Sequence, residues 1–387
     1  MDFRFTDEDE AFRAEVRGWL DEHLVGEFAA LKGAGGNGRE HEGFDGRRRW
    51  ERLLGEHRWT GLGWPADHGG RGASLMQQVI FHEEYARAEA PLRVNHVGEQ
   101  LLAPTLIDLG TTEQQARFLP GIRTGDELWC QGYSEPEAGS DLANVQTRAV
   151  LDGGEWVVTG QKVWTSLAHV ADWCFVLCRT DPSATKHAGL SYLLVPMHQA
   201  GVEVRPIVQM TGTSEFNEVF FDAARTASSN VVGAPGDGWR VALATLGYER
   251  GVSTLGQQIG FERELEHVVT LARETGTIDD PLILDRLTTA FIELRVMRYN
   301  ALRLLSAGTQ GPETSIAKLL WSGWHRRLGE LAIDVQGAGG LVAAGPPYQL
   351  TDMQALFLFS RSDTIYGGSD EIQRGIIATR LLGLPRT

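Results

Sequence analysis

Several stretches of this chain carry residue types able to do chemistry together. The first is Gln131-Gly132-Tyr133-Ser134-Glu135-Pro136-Glu137-Ala138-Gly139-Ser140-Asp141. A Pro and two Gly within a few residues rule out a regular helix or central strand. Such a loop can turn successive backbone N–H and C=O groups toward a flat ligand, with Ser134 and Ser140 adding hydroxyls. Taken alone it reads as an ordinary polar turn. The second is Glu249, the only acidic residue between Asp237 and Glu262. At 100° per residue it shares a helical face with Ala242, Thr245, Ser253, Gly256 and Gly260. A carboxylate on a stripe of small residues faces either a closely packed helix or a slab-shaped ligand. A Glu249–Arg250 surface pair, with the glycines as packing notches, fits the pattern equally. Were the face buried against a ligand, desolvation would raise the carboxyl pKa toward that of a general base.

Two glycine-rich termini follow. Gln336-Gly337-Ala338-Gly339-Gly340 sits past a long helical pattern, and Ile365-Tyr366-Gly367-Gly368-Ser369-Asp370-Glu371-Ile372-Gln373-Arg374 opens another. In the latter, two Gly expose backbone N–H groups, Ser369 can cap the helix, and Asp370 and Glu371 occupy its first turn. Each taken singly is an ordinary helix end. Gly33 to Gly38 spells G-x-G-x-x-G, but it follows a helical pattern and not a strand, so it reads as a loop and not as a dinucleotide fingerprint. There is no G-x-S-x-G elbow, H-E-x-x-H or P-loop to support a serine hydrolase, a zincin or a P-loop NTPase.

The formal charge of −15 over 387 residues excludes a generally basic nucleic-acid footprint. No apolar run approaches the ~20 residues of a membrane span, and the N-terminus lacks a signal-peptide core, so a cytoplasmic protein is expected. Cys130, Cys174 and Cys178 make an odd count without a His pair nearby, which points to buried free thiols and to no metal site.

The elements that must position these stretches divide the chain in three. Residues 1–125 read as a helical domain: Thr6 and Asp9 form a capping box, and Phe12, Val16, Trp19 and Leu20 share a face. Residues 126–235 alternate, with a hairpin across Asp152-Gly153-Gly154 and strand-like runs at 172–179, 189–195, 202–208 and 216–222. They predict an antiparallel β domain. Residues 236–387 return to a helical period, with segments at about 239–275, 281–307, 313–336, 348–361 and after Ser369, an antiparallel bundle. The fold class is therefore α+β and multidomain.

In that order of parts, and over essentially the full chain, the sequence resembles the acyl-CoA dehydrogenase family. The resemblance is carried by Tyr133-Ser134-Glu135-Pro136 with Ala138-Gly139-Ser140-Asp141, Gly160-Gln161-Lys162-Val163-Trp164-Thr165-Ser166, Glu215-Phe216-Asn217-Glu218-Val219, Gln336 to Gly340, and Tyr366 to Arg374. It implies FAD held between the β domain and the bundle. Tyr133, Ser134, Trp164 and Ser166 would contact the isoalloxazine. Arg273, Thr275, Gln336, Gly339 and Gly340 would reach the FAD of a neighbouring subunit, and Ser369 and Glu371 would return to the dinucleotide. Ser140, Tyr248, Arg250 and Gly368 would meet the acyl-CoA. The resemblance also implies a homo-oligomer, usually a tetramer, with a hetero-oligomer as the other option, and an electron-transfer flavoprotein or similar acceptor.

Three departures from the family pattern stand out. Many members carry their base just after the Tyr of the last motif, where this chain has Gly367; one branch places it at the position of Glu249, immediately before Arg250. Glu249 is thus the expected base. Glu137 replaces a usual Gly in the flavin loop, which bears on its conformation. The usual Phe-Gly beyond Thr275 is missing, which bears on contacts to the neighbour's cofactor. The implied reaction is α,β-dehydrogenation of an acyl-CoA thioester to the trans-2-enoyl-CoA: Glu249 takes the α-proton, flavin N5 accepts the β-hydride, and the N–H of Gly367 hydrogen-bonds the thioester oxygen. The rival readings are a flavin oxidase or monooxygenase of the same fold, and a non-catalytic subunit completing another chain's FAD site.

Overall fold

A computed structural model describes residues 5–36, 39–248, 253–306, 311–345 and 348–385. The chain begins with α1 (Asp7–His23), which opens on the expected capping box, Thr6 accepting from Asp9 N–H and Asp9 from Thr6 N–H. Its stripe of Phe12, Val16 and Leu20 is buried against Trp50, Leu54, Trp59 and Phe81. Those partners come from α2 (Phe44–Glu56), α3 (Leu75–Arg87) and the segment between them. The charged run before Trp50 forms the first half of α2 because Arg47 is buried with its charge satisfied, Nε donating to Leu92 O at 2.8 Å and Nη1 to Glu40 O at 2.7 Å. After α4 (Ala103–Leu109) and α5 (Thr112–Thr124) the chain enters the sheet.

The seven strands are β1 (Trp129–Gly132), β2 (Arg148–Asp152), β3 (Glu155–Ser166), β4 (Trp173–Arg179), β5 (Leu190–Pro196), β6 (Val202–Ile207) and β7 (Phe216–Ala227). Their order is β1-β4-β2-β3-β7-β6, with β5 on the other side of β4. Pairing is antiparallel except at β1–β4 and the single β2–β4 contact, which are parallel. That exception corrects the expectation of a purely antiparallel sheet. β1 and β2 run in the same direction along β4, pairing with its residues 173–176 and 179, and the antiparallel β3 carries the chain back before β4 begins, which is what a parallel neighbour requires. The parallel register pairs Trp129 with Trp173, whose rings stack at 5.5 Å while Phe118 of α5 meets Trp129 edge-on at 5.3 Å. Each such aromatic pair adds about 0.5–1.5 kcal/mol beyond area burial. The three cysteines are buried and free.

The helical expectation at 239–275 resolves into α6 (Gly238–Tyr248) and α7 (Ser253–Glu274), flanking residues outside the described set. A Cβ at Gly238 would meet Ser191 backbone atoms at 2.5–2.6 Å, so a side chain there would push α6 off β5. There follow α8 (Pro281–Ser306), α9 (Thr314–Gln336), α10 (Asp352–Phe359) and α11 (Asp370–Ile376). Cross-links set the directions: Arg295–Glu262 at 3.1 Å and Arg286–Asp334 at 2.6 Å run α8 antiparallel to both neighbours, so α7 and α9 are parallel. Phe261, Leu265, Val268, Leu287, Leu294, Trp324, Leu328 and Leu331 fill the core between them. Among the described residues no helix is long and apolar enough to cross a membrane, and no cluster of side chains could hold a metal ion.

Candidate active site

One part of the site is built on the sheet. Ser134 O accepts from Val163 N at 2.9 Å, tying the 131–141 loop to β3 next to Trp164. Beneath the loop lies Lys162, wholly buried, whose Nζ donates to Tyr133 O at 3.0 Å, Glu135 Oε1 at 2.7 Å and Leu177 O at 2.7 Å. Three acceptors match the three N–H donors of an ammonium, so the geometry supports a charged Lys162. Glu135 also accepts from the N–H groups of Gln146 at 2.6 Å and Thr147 at 2.9 Å. Burial raises its pKa, but Lys162 and these donors carry it below the ordinary carboxylate range. Both residues lay within the quoted motifs, but their pairing across 27 positions has no local signature. Glu137 leaves the loop intact. Ala138 N donates to Glu135 O at 3.1 Å and Glu135 N to Ala138 O at 3.0 Å. Pro136 and Glu137 thus form an exposed tight turn without positive φ, which needs no Gly.

Trp164 follows at once. Its φ is +61° and its side chain is 58% exposed, at an irregularity in the β3–β7 register between Lys162 and Thr165. A bulky residue held left-handed costs on the order of 1–3 kcal/mol and marks a functional position more often than a structural one. The indole stands over Phe216 at 6.2 Å, edge to face. Half-buried Ser134 and Ser166 flank it, and Thr165 Oγ1 and Asn217 Oδ1 behind it find no partner among the described residues. An exposed aromatic plane edged by hydroxyls fits a flavin ring. Tyr133 is buried, its ring packing edge-on to Phe175 at 5.8 Å, so it supports the loop from below. Ser140 is exposed near the end of the loop.

A second part is the turn before α11. Gly367 and Gly368 have φ of +64° and +87°, two successive left-handed residues that only Gly adopts freely. Gln373 Nε2 donates to Gly367 O at 3.0 Å and to Gly368 O at 3.2 Å. Ser369 caps α11 by accepting from Ile372 N–H at 3.4 Å, and Glu371 projects into solvent from its first turn. The turn is anchored from behind by Asp363, whose Oδ1 accepts from Tyr366 OH at 2.7 Å.

A third part is the far end of the bundle. Because α7 and α9 are parallel, exposed Arg273 and Thr275 emerge at the same end as half-buried Gln336, exposed Gly339 and buried Gly340. Thr275 Oγ1 is engaged with Leu271 O at 2.9 Å, and Gln336 Nε2 with Ala332 O at 3.2 Å. The structure thus joins Ser134, Trp164 and Ser166 in one surface with Tyr133 buried beneath it, Gly367, Gly368, Ser369 and Glu371 in another, and the remaining cofactor candidates in a third. Tyr248 closes α6 with its hydroxyl donating to Asp108. Glu249 and Arg250 lie outside the described residues.

Comparison with known proteins bears on the family and on the order of its three parts. The family models of the acyl-CoA dehydrogenase N-terminal, middle and C-terminal domains match residues 6–126, 130–224 and 236–382. The chain is 63% identical to the acyl-CoA dehydrogenase IpdE1 of Mycobacterium tuberculosis over 379 residues, 97% of this chain and 98% of that protein. With the IpdE1 of Mycolicibacterium smegmatis the identity is 60%, over 97% of each. Among solved structures, the Tcur3481-Tcur3483 steroid ACAD superposes with a TM-score of 0.85 at 32% identity. The ChsE4-ChsE5 complex from Mycobacterium tuberculosis does so at 0.83 and 31%. In both cases the match covers 100% of each chain.

Proposed function

The chain belongs to the acyl-CoA dehydrogenase family, whose members are FAD-dependent, and from that premise we propose that it desaturates the α,β bond of a CoA thioester carrying a bulky, steroid-derived acyl group. The observation that carries the reading is the pairing of an exposed, strained Trp164 on the sheet with a carboxylate-free Gly367-Gly368 turn on the bundle. The first offers a plane for the flavin. The second offers backbone donors but no base, which leaves that role to Glu249. Likeness to a structure described as a steroid ACAD, and the small residues sharing a face with Glu249, support a large acyl group.

Trp164, Ser134 and Ser166 would hold FAD at its ring and Ser369 and Glu371 along the dinucleotide, where it would supply the two-electron acceptor. The protein's share is positional and acid–base. Glu249 removes the α-proton, a general-base contribution of about 10²–10⁴ in rate. The Gly367 N–H hydrogen-bonds the thioester oxygen as negative charge develops there, a donor worth about 3 kcal/mol. Ser140, Tyr248, Arg250 and Gly368 border the acyl-CoA.

Arg273, Thr275, Gln336, Gly339 and Gly340 lie at the other end of the bundle and reach a neighbouring subunit's FAD in this reading. An oligomer follows, in this reading a tetramer of one chain or of two, and likeness to the ChsE4-ChsE5 complex supports two. The acceptor of the electrons is an electron-transfer flavoprotein or a protein like it. Anaerobic bleaching of the flavin by a panel of straight, branched, aromatic and steroid-side-chain acyl-CoAs tests the substrate, and sedimentation of the same preparation tests the assembly. Bleaching confined to short straight chains would overturn the substrate class, and a turning-over monomer would overturn the assembly.

A further inference from the structure

Glu264 on α7, His325 on α9 and Asp363 ahead of the glycine turn form a row, buried at His325 and Asp363 and part-exposed at Glu264, that no step above uses. His325 is 4% exposed. Its Nδ1 lies 2.5 Å from Asp363 Oδ2 and its Nε2 lies 2.8 Å from Glu264 Oε2. A neutral imidazole has one donor and one acceptor nitrogen, and a carboxylate only accepts, so two such contacts require an imidazolium. Burial works against that charge, but Glu264 and Asp363 push the His325 pKa up to about 10. Lys318 Nζ donates to Asp363 O at 2.7 Å. The group thus holds two cations and two carboxylates, a balanced set for a buried site. Phe261 packs on the His325 ring at 4.6 Å, adding a second contact to α7.

We infer that His325 is a positioning residue that locks the Tyr366-Gly367-Gly368 turn to α7, and with it holds the thioester's backbone donor in place. The inference rests on the proposed function for what the turn does, but the lock itself is a property of the chain. Two successive left-handed glycines have little intrinsic rigidity, so the direction of the Gly367 N–H depends on what holds its neighbours. Behind the turn that is Asp363, which grips Tyr366 OH with one oxygen and His325 with the other. The Glu264 end of the row is on α7, the helix that follows directly on residues 249–252. Loss of the imidazolium leaves two carboxylates facing each other across an uncharged gap, and Asp363 then turns away or takes up a proton. Either change weakens the link from α7 through Asp363 to Tyr366, whose ring keeps its contacts with Lys318 and Trp321.

The test compares wild type with His325→Gln by hydrogen–deuterium exchange over peptides spanning 362–373 and by anaerobic flavin reduction. A lock predicts that exchange in the turn speeds about tenfold while the α8 and α9 peptides keep their protection. Flavin reduction then slows about 10–100-fold, the scale of an ångström-sized misplacement. FAD content and acyl-CoA Kd hold within about threefold. Unchanged exchange in the turn would overturn the inference, and so would faster exchange throughout the bundle with an unchanged rate per flavin, the mark of a merely structural role. Should His325→Gln not fold, Glu264→Gln at the more exposed end of the row serves, with the same outcomes expected at smaller size. If no acyl-CoA reduces the wild-type flavin, the proposed function fails, and exchange in the turn still decides whether the lock exists.

Discussion

Lys162 and Glu135 show what one buried pair contributes. The Lys162 side chain is fully buried and that of Glu135 is 6% exposed, 2.7 Å apart. Breaking such a pair leaves a charge without compensation, at about 3–5 kcal/mol. Glu135→Gln is expected to lose about that much in denaturant unfolding at neutral pH. The pH dependence has a definite sign. The Glu135 carboxyl sits below its ordinary value in the folded chain, so its stabilisation is complete above the unfolded value of 4.5 and is lost as pH falls through the lower folded one. Unfolding measured from neutral pH into acid will therefore show a steeper decline for wild type than for the variant. Parallel declines would mean the ion pair does not hold the loop. At this scale the sequence was only half legible. Ser134, Trp164 and Ser166 were marked by motif, whereas Glu135–Lys162 and the row through His325 join residues far apart in sequence, and no local pattern announces a partner 38 or 61 positions away.

At the scale of elements, β3 does most to shape the site. Its irregularity against β7 turns Trp164 outward, where regular alternation would place neighbouring side chains on opposite faces. Removing an aromatic side chain that a flavin covers forfeits about 2 kcal/mol of apolar burial, or some thirtyfold in Kd. Trp164→Ala should weaken FAD binding by that factor in a fluorescence titration of the apoprotein, with the fold little changed, since alanine at this positive φ keeps the backbone strain. Equal affinities would place the flavin elsewhere. The β2–β3 hairpin was legible because Gly153 and Gly154 supply the two positive φ values its turn demands, and the capping box of α1 because its partners sit three residues apart. The parallel β1–β4 pairing was not, since it depends on where a crossing loop lands and not on the period of either strand.

At the scale of the whole molecule, the cofactor candidates fall on separate surfaces of one chain. The sheet platform and the glycine turn form two of them. The ends of α7 and α9, with Arg273 and Gln336, form the third. Exposed Phe291, Ile292, Val296 and Tyr299 run along the middle of α8, an apolar stripe of the kind that subunit contacts cover. An oligomer accounts for both features. The central claim, however, concerns the division of labour between the turn and the helix: donors on Gly367, the base on Glu249. Glu249→Gln keeps shape and hydrogen-bonding capacity while removing basicity, and the measurement is stopped-flow bleaching of its flavin by the best acyl-CoA of the panel. The account predicts near-normal FAD content and acyl-CoA binding with reduction slowed at least about 10²–10⁴-fold; reduction at the wild-type rate would contradict it.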